Sequence, residues 1–329
     1  MKLSVIIPVY NVEDYLESCL NHLVKGYKNK DDIEIILIDD GSTDNSKYIC
    51  DYYAKKFVFI KVVHKNNGGL SKARNLGINI SKGEMITFID SDDLVPINYL
   101  NVLLDILKNT NADIISFKYK IVQNGLFNKP VEYSSKKMKN ATKVDMMTSV
   151  VRDSYTWDKI YKRKLWKDIT FPSFRHYEDI ATTYKIFEKA RKFVVYDDVL
   201  YFYRQRSGSI THQNSASIKL RAVTDAIIAR KEQLNFFEKN NYQKAYKLVT
   251  HDLMINAFTL IRWTIQYKLK KDNLYKEMVI YLKKYEPSIR ADGIKYYLMV
   301  KAYKNVYPLY LILIYFYKKR IHENMDFYN

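Results

Sequence analysis

The sequence predicts an α/β protein: a mainly parallel open sheet flanked by helices, followed by a helical C-terminal region. Three observations carry that expectation. Through the first 110 residues, near-continuous apolar runs alternate with amphipathic segments, as they do when parallel strands are buried on both faces by crossover helices. Each apolar run ends in a polar cluster, at Tyr10-Asn11, Asp39-Asp40, Asn66 to Gly69 and Asp90-Ser91-Asp92, and in such sheets ligands sit outside the carboxyl ends of the strands. After Ser209 the chain turns polar and then reads as helix, with few Gly or Pro to interrupt it.

Leu3 to Val9 is β-branched and apolar, so it reads as a strand, with Asn11 as the expected cap of the next helix. That helix carries Val12, Tyr15, Leu16, Cys19, Leu20 and Leu23 at core-facing spacing, with Glu13 and Asp14 in its first turn, where the helix dipole favours negative charge. Ile33 to Ile38 forms the second strand, and a helix runs from the Asp39–Asp44 loop to about Lys56. Phe57 to Val63 is expected as the third strand, Ser71 to Ile80 as the third helix, and Met85 to Asp90 as the fourth strand. Pro96 suits the first turn of a helix ending near Lys108. Beyond Ala112 the pattern is mixed, with strands expected over Asp113–Tyr119 and Val199–Arg206 and helices over Lys143–Val151 and Glu178–Ala190. These readings divide the chain into an α/β domain at 1–210, in two halves (1–110 and 111–210), and a helical region at 211–329.

Composition narrows the functional classes. With 329 residues, 47% hydrophobic and 15% aromatic, the chain has ample material for a large core. Cys19 and Cys50 read as small buried hydrophobes, which fits a reducing cytoplasm. Met1 to Pro8 is apolar for too few residues to read as a secretory signal. The longest apolar run, Val306 to Tyr317, contains Pro308 and falls short of the roughly 20 residues that a membrane-spanning helix requires. The net charge of +18 concentrates after residue 211, where 21 Lys and Arg face 10 Asp and Glu. That basic, Tyr-rich region suits either an anionic membrane surface at the inner face of the plasma membrane or a solvated basic face. No nucleic-acid-binding motif accompanies the charge, and nucleic acid is not an expected partner.

Asp90-Ser91-Asp92, followed by Asp93, places carboxylates on the lip of a buried strand. They can cap the next helix, or they can hold a hard cation such as Mg2+ or Mn2+ that takes its remaining ligands from water and substrate phosphates.

Four blocks in order carry a more specific signal. Ser4-Val5-Ile6-Ile7-Pro8-Val9-Tyr10-Asn11, Ile38-Asp39-Asp40-Gly41-Ser42-Thr43-Asp44, Asn67-Gly68-Gly69-Leu70-Ser71-Lys72-Ala73-Arg74-Asn75 and Phe88-Ile89-Asp90-Ser91-Asp92-Asp93 resemble the successive motifs of family-2 glycosyltransferases, which have the GT-A fold. Trp157-Asp158-Lys159, Glu178-Asp179 and the segment Tyr203 to Ser209 resemble the looser motifs that follow. The resemblance implies inverting transfer from a UDP-sugar, assisted by Mn2+ or Mg2+, to a hydroxyl of a glycan or lipid-linked acceptor in cell-surface polysaccharide synthesis.

By that resemblance Pro8, Val9, Tyr10 and Asp40 hold the nucleobase, with Asn11 and Asp39 beside them. An aspartate can accept the imide N–H of uracil, and Tyr10 offers a stacking face. Gly69 allows close approach of the donor, and Arg74 lies on a helix whose N-terminus suits an anion. The same resemblance implies that Asp92 contacts the metal directly, with Asp90, which reaches the ribose or sugar, and Ser91 alongside, that Arg204 and Arg206 close over the diphosphate, and that Asp179 is the base that takes the acceptor's proton. His176 and His212 stay open between phosphate contacts and loop packing. For Trp157 packing is favoured over a role as a sugar platform. Two rival readings are a sugar-phosphate nucleotidyltransferase and a non-catalytic glycan- or membrane-binding protein on the same fold.

Overall fold

A computed structural model of the chain describes residues 1–27, 32–123, 130–173, 175–205, 215–267 and 269–292. The strands are β1 (Leu3–Val9), β2 (Ile33–Asp39), β3 (Ile60–His64), β4 (Met85–Phe88), β5 (Ile114–Val122), β6 (Met138–Ala141), β7 (Lys159–Lys162) and β8 (Phe193–Arg204). The helices are α1 (Glu13–Val24), α2 (Ser46–Lys56), α3 (Leu70–Ile80), α4 (Tyr99–Lys108), α5 (Lys143–Ser149), α6 (Glu178–Lys189), α7 (Ala216–Lys239), α8 (Gln243–Gln266) and α9 (Asn273–Asp292).

The strands form one sheet in the order β3-β2-β1-β4-β7-β5-β8-β6. β1 pairs in parallel with β2 and β4, β2 with β3, and β5 with β8, whereas β7 runs antiparallel to β4 and β5 and β6 antiparallel to β8. Six strands therefore point their carboxyl ends to one rim, and the order reverses between β1 and β4. That reversal opens a crevice where the loops after neighbouring strands diverge.

Both faces of the sheet are covered, which is why β1 and β2 are buried along their whole length. Val5, Ile7, Ile35 and Leu37 join Leu16, Cys19 and Leu20 of α1 and Leu100 and Leu103 of α4 in one core. Ile36 and Ile38, pointing the other way by strand alternation, pack with Ala73, Leu76 and Ile80 of α3.

Several boundaries differ from the sequence reading, each for a local reason. Phe57 closes α2, its amide bonded to Tyr53 O, and β3 starts only at Ile60. Pro96 lies before α4, its carbonyl accepting from Tyr99 N, and Asn98 is the residue preceding the helix. β8 begins at Phe193, six residues earlier than expected, because its first half pairs with β6. β6 and β7 escaped the sequence reading: each has four residues, and Met138-Lys139-Asn140-Ala141 is too polar to signal a strand.

One compact unit spans Met1–Val249 and includes α7. The domain boundary expected near residue 211 lies outside the described residues. A second unit, Thr250–Asn329, contains the rest of α8 and α9, with Leu253, Ala257, Ile261 and Met278 buried. Among the described residues, no helix is long and apolar enough to cross a membrane.

Candidate active site

The first wall of the crevice is a clasp between the loops after β1 and β2. Asn11 adopts a left-handed backbone with φ of 49°, which asparagine tolerates better than most residues. It does not cap α1 as expected. Its Oδ1 instead accepts from Thr43 N at 2.8 Å, and its own amide donates to Ser42 Oγ at 3.2 Å. The cap comes from the second loop, where Asp44 Oδ2 accepts from Glu13 N and Ser46 Oγ from Val12 N. Pro8 and Val9 are buried, whereas Tyr10 is 48% exposed and leaves its ring open to a ligand.

Asp39 ends β2 and Asp40 follows it; both are buried, but they do different work. Asp39 accepts from Ser42 N at 2.9 Å and from His64 Nδ1 at 2.7 Å. Burial opposes its charge, but those hydrogen bonds hold its carboxyl below the usual range. Asp40 accepts from Lys65 Nζ and from the amides of Gly68 and Gly69, at 3.0 and 2.7 Å. It thereby fastens the third loop to the second, and Gly69 (φ 87°) opens α3 from that point.

The second wall begins where β4 ends. Asp90 is partly exposed and Ser91 buried, and the Asp92 side chain is partly exposed at the same turn. Asp93, by contrast, is buried. Its Oδ2 accepts from Tyr201 OH at 2.7 Å and its Oδ1 from Arg204 N at 2.8 Å, while Tyr201 OH accepts from Asp90 N at 3.1 Å. Asp93 thus ties the acidic turn to β8. Burial, and after it the neighbouring Asp90 and Asp92 charges, push its carboxyl well above the usual range. The Arg204 side chain reaches α1, donating to Ser18 Oγ at 2.9 Å with its guanidinium over the Tyr15 ring. Arg206 and His212 lie outside the described residues.

Arg74 joins the two halves. Its side chain is 4% exposed, with Nη2 2.8 Å from Asp90 Oδ1 and Nη1 2.5 Å from Glu178 Oε1, and it stacks over Phe171. Burial disfavours its charge, but Asp90 and Glu178 more than offset this and raise its pKa. Asn75, one residue on, pins the same segment by a two-way amide bond with Phe171, 2.9 Å in each direction.

Glu178 and Asp179 open α6 behind Tyr177, which takes a left-handed turn at φ 59°. Burial raises both carboxyl pKa values above the usual range, with Arg74 pulling each back in part. A carboxylate poised in this way is the kind that can take up a proton in a reaction near neutrality.

The sequence reading missed what holds that turn in place. Asp225 of α7 accepts from both His176 N and His176 Nδ1, at 3.0 and 2.9 Å, which assigns His176 to loop anchoring. Arg175 pairs with Glu232 at 2.9 Å, Arg230 donates to Val151 O and Gln233 Oε1, and Gln233 Nε2 donates to Ile180 O. A signal was present, because Arg230 and Gln233 sit among buried Val223, Ala226, Ile227, Leu234 and Phe237 at helical spacing. A buried polar residue on such a stripe requires a partner.

Trp157 packs, as expected, stacked between Tyr155 and Tyr201 with ring centroids 4.6 and 4.3 Å away. Beside it Lys159 is buried against Asp158 and the carbonyls of Asp153 and Tyr155. Burial lifts Asp158 to about 6 even with Lys159 in contact.

No cage of three or more His, Cys, Asp or Glu side chains exists among the described residues. Carboxylate oxygens such as those of Asp90 and Asp92 would suit a hard cation that draws the rest of its shell from water and a bound anion.

Residues 4–173 match the model of glycosyl transferase family 2. The glycosyltransferase GlyG of Streptococcus pneumoniae is 36% identical over 220 residues, covering 63% of this chain and 72% of GlyG. The poly(ribitol-phosphate) beta-glucosyltransferase of Bacillus spizizenii is 38% identical over 208 residues, covering 62% of this chain but only 32% of the relative's length. Among solved structures, S. aureus TarS 1–349 in complex with UDP-GlcNAc superposes with a TM-score of 0.58 at 23% identity, covering 92% of each chain. That last likeness is one of fold, and it places the sheet and its flanking helices in the GT-A class.

Proposed function

The chain belongs to glycosyl transferase family 2, and on that footing we propose that it performs inverting transfer of a sugar from a UDP-sugar to a hydroxyl of a glycan or lipid-linked precursor in cell-surface polysaccharide synthesis. The observation that carries this reading is the convergence at one rim of Asp39 and Asp40, Asp90 and Asp92, and Glu178 and Asp179, with Arg74 bridging the last two groups. Relatives that are poly(ribitol-phosphate) glycosyltransferases, and a neighbour of the same fold with UDP-GlcNAc bound, support the choice of donor and of acceptor class.

In this reading the uracil stacks on Tyr10 and is held by the clasp that Asp40 and Asn11 build. Asp92, with Asp90, would hold Mn2+ or Mg2+, and the bound cation would supply Lewis-acid stabilisation of the diphosphate's charge. Asp179 takes the proton of the acceptor hydroxyl as its oxygen attacks the anomeric carbon, displacing UDP from the opposite face. The raised pKa of Asp179 matches that task, and the anchoring of residues 175 and 176 on α7 holds it in position. The basic region after residue 211 would bring the enzyme to an anionic membrane surface in the cytoplasm, where lipid-linked acceptors reside.

The test is a panel of UDP-sugars with Mn2+ or Mg2+, read as UDP release. Metal-dependent release that Asp92→Ala abolishes with the fold retained supports the assignment. Pyrophosphate as product would point to nucleotidyl transfer, and release that survives Asp179→Ala at the wild-type rate would remove Asp179 as the base.

A further inference from the structure

His64 stands between two carboxylates on different elements. It ends β3, directly across from Asp39 in the β2–β3 register. Its Nδ1 lies 2.7 Å from Asp39 Oδ2 and its Nε2 2.9 Å from Asp51 Oδ1 of α2. A carboxylate only accepts hydrogen bonds, so both ring nitrogens are donors and the ring is an imidazolium. The charged groups facing it are Asp39 from β2 and Asp51 from α2, while Lys65, the next residue, turns its ammonium to Asp40.

Asp39 is only 2% exposed, so it is not the surface that meets a ligand. Its other oxygen accepts from Ser42 N, and Ser42 Oγ accepts from Asn11 N. The chain Asp51–His64–Asp39–Ser42–Asn11 therefore runs from the outside of α2 to the clasp beside Tyr10. We infer that His64 is a positioning residue of the donor site, fixing Asp39 so that the loop of residues 39–44 keeps the shape that grips the nucleotide. This rests on the nucleotide-binding reading above and extends it to a residue that touches no substrate.

The carboxylates raise the His64 pKa against the opposing effect of burial. The sign follows directly. Below its titration both N–H groups donate and the chain is closed. As pH rises through the raised pKa one donor is lost, and nucleotide affinity falls with it.

The experiment is calorimetric titration of the full chain with UDP in the presence of Mn2+ or Mg2+, with donor KM and kcat measured in parallel. His64→Ala should weaken UDP binding about tenfold, the loss expected when one charge-assisted hydrogen bond goes, raising KM and leaving kcat near wild type. Asp51→Asn, an exposed change that does not threaten folding, should weaken binding in the same direction, and the double variant should be no worse than His64→Ala alone. Wild-type affinity should fall on the alkaline side, with His64→Gln flat across the same range. UDP binding unchanged in both single variants, or additive losses in the double variant, would overturn the role of His64 while leaving the donor reading intact. Absence of UDP binding in the wild type would overturn the donor reading itself.

Discussion

Replacing Arg74 with methionine keeps most of the side chain's volume and its contact with Phe171 but removes the charge between Asp90 and Glu178. At an effective dielectric of about 20, each carboxylate near the guanidinium is attracted by roughly 4 kcal/mol, most of which offsets the cost of burying the charges. The measurable quantity is what happens when one partner disappears. Glu178 is then left buried without its cation, and removing one member of a buried pair costs about 3–5 kcal/mol. For a unit of this size each kcal/mol lowers Tm by about 2–4 °C, so Arg74→Met should melt roughly 6–20 °C below wild type. Scanning calorimetry, or circular dichroism on heating, measures this directly. Adding Glu178→Gln should recover part of the loss, because the stranded carboxylate becomes a neutral amide. A melting point within about 1 °C of wild type for Arg74→Met would refute the idea that the bridge is a buried electrostatic joint rather than a surface contact.

Gly41→Ala forces a side chain into φ of 77° and sets its Cβ 2.8 Å from Asn67 N. Strain of this kind costs about 1–3 kcal/mol, and the displaced third loop should weaken UDP binding; chemical denaturation and UDP titration would both register it, and a variant neutral in both would show that the loops are not in contact. The acid limb of kcat/KM should lie above the ordinary aspartate range, because burial raises Asp179. Activity should climb as pH rises through that value and the base ionises, and Asp179→Asn should lose the limb along with about 10²- to 10⁴-fold in rate. A profile flat down to about pH 4 would argue that another group takes the proton.

The strands nearest the sequence reading are those buried along their whole length in the middle of the sheet. β1, β2 and β4 announce themselves because burial on two faces demands unbroken apolar runs. β6 and β7 do not, since each is defined by its partner: Lys159-Ile160-Tyr161-Lys162 is a strand because β4 and β5 flank it. The acidic clusters were legible for a similar reason, as carboxylates directly after apolar runs fall on the rim of an α/β sheet whatever their detailed partners. Those partners were not legible. Asn11 looked like a helix cap and instead joins two loops. Ser18 and Tyr15 of α1 meet the Arg204 side chain, a contact no motif announces. Asp225, Arg230 and Gln233, which hold the α6 turn, lie well past any motif.

Sequence alone determined the class of fold, the family, the rim on which the polar groups gather and the residue types available there, because hydrophobic periodicity and motif order are local properties of the chain. Tertiary structure decided which donors each carboxylate meets. Asp39, Asp40 and Asp93 are held by His64, by the Gly68–Gly69 amides and by Tyr201, while Arg74 bonds both Asp90 and Glu178, the latter 104 positions further along the sequence. The physical reason is that a carboxylate's protonation and reach depend on its desolvation and on the donors within about 3 Å of it, and folding brings those donors from parts of the chain that no local pattern connects.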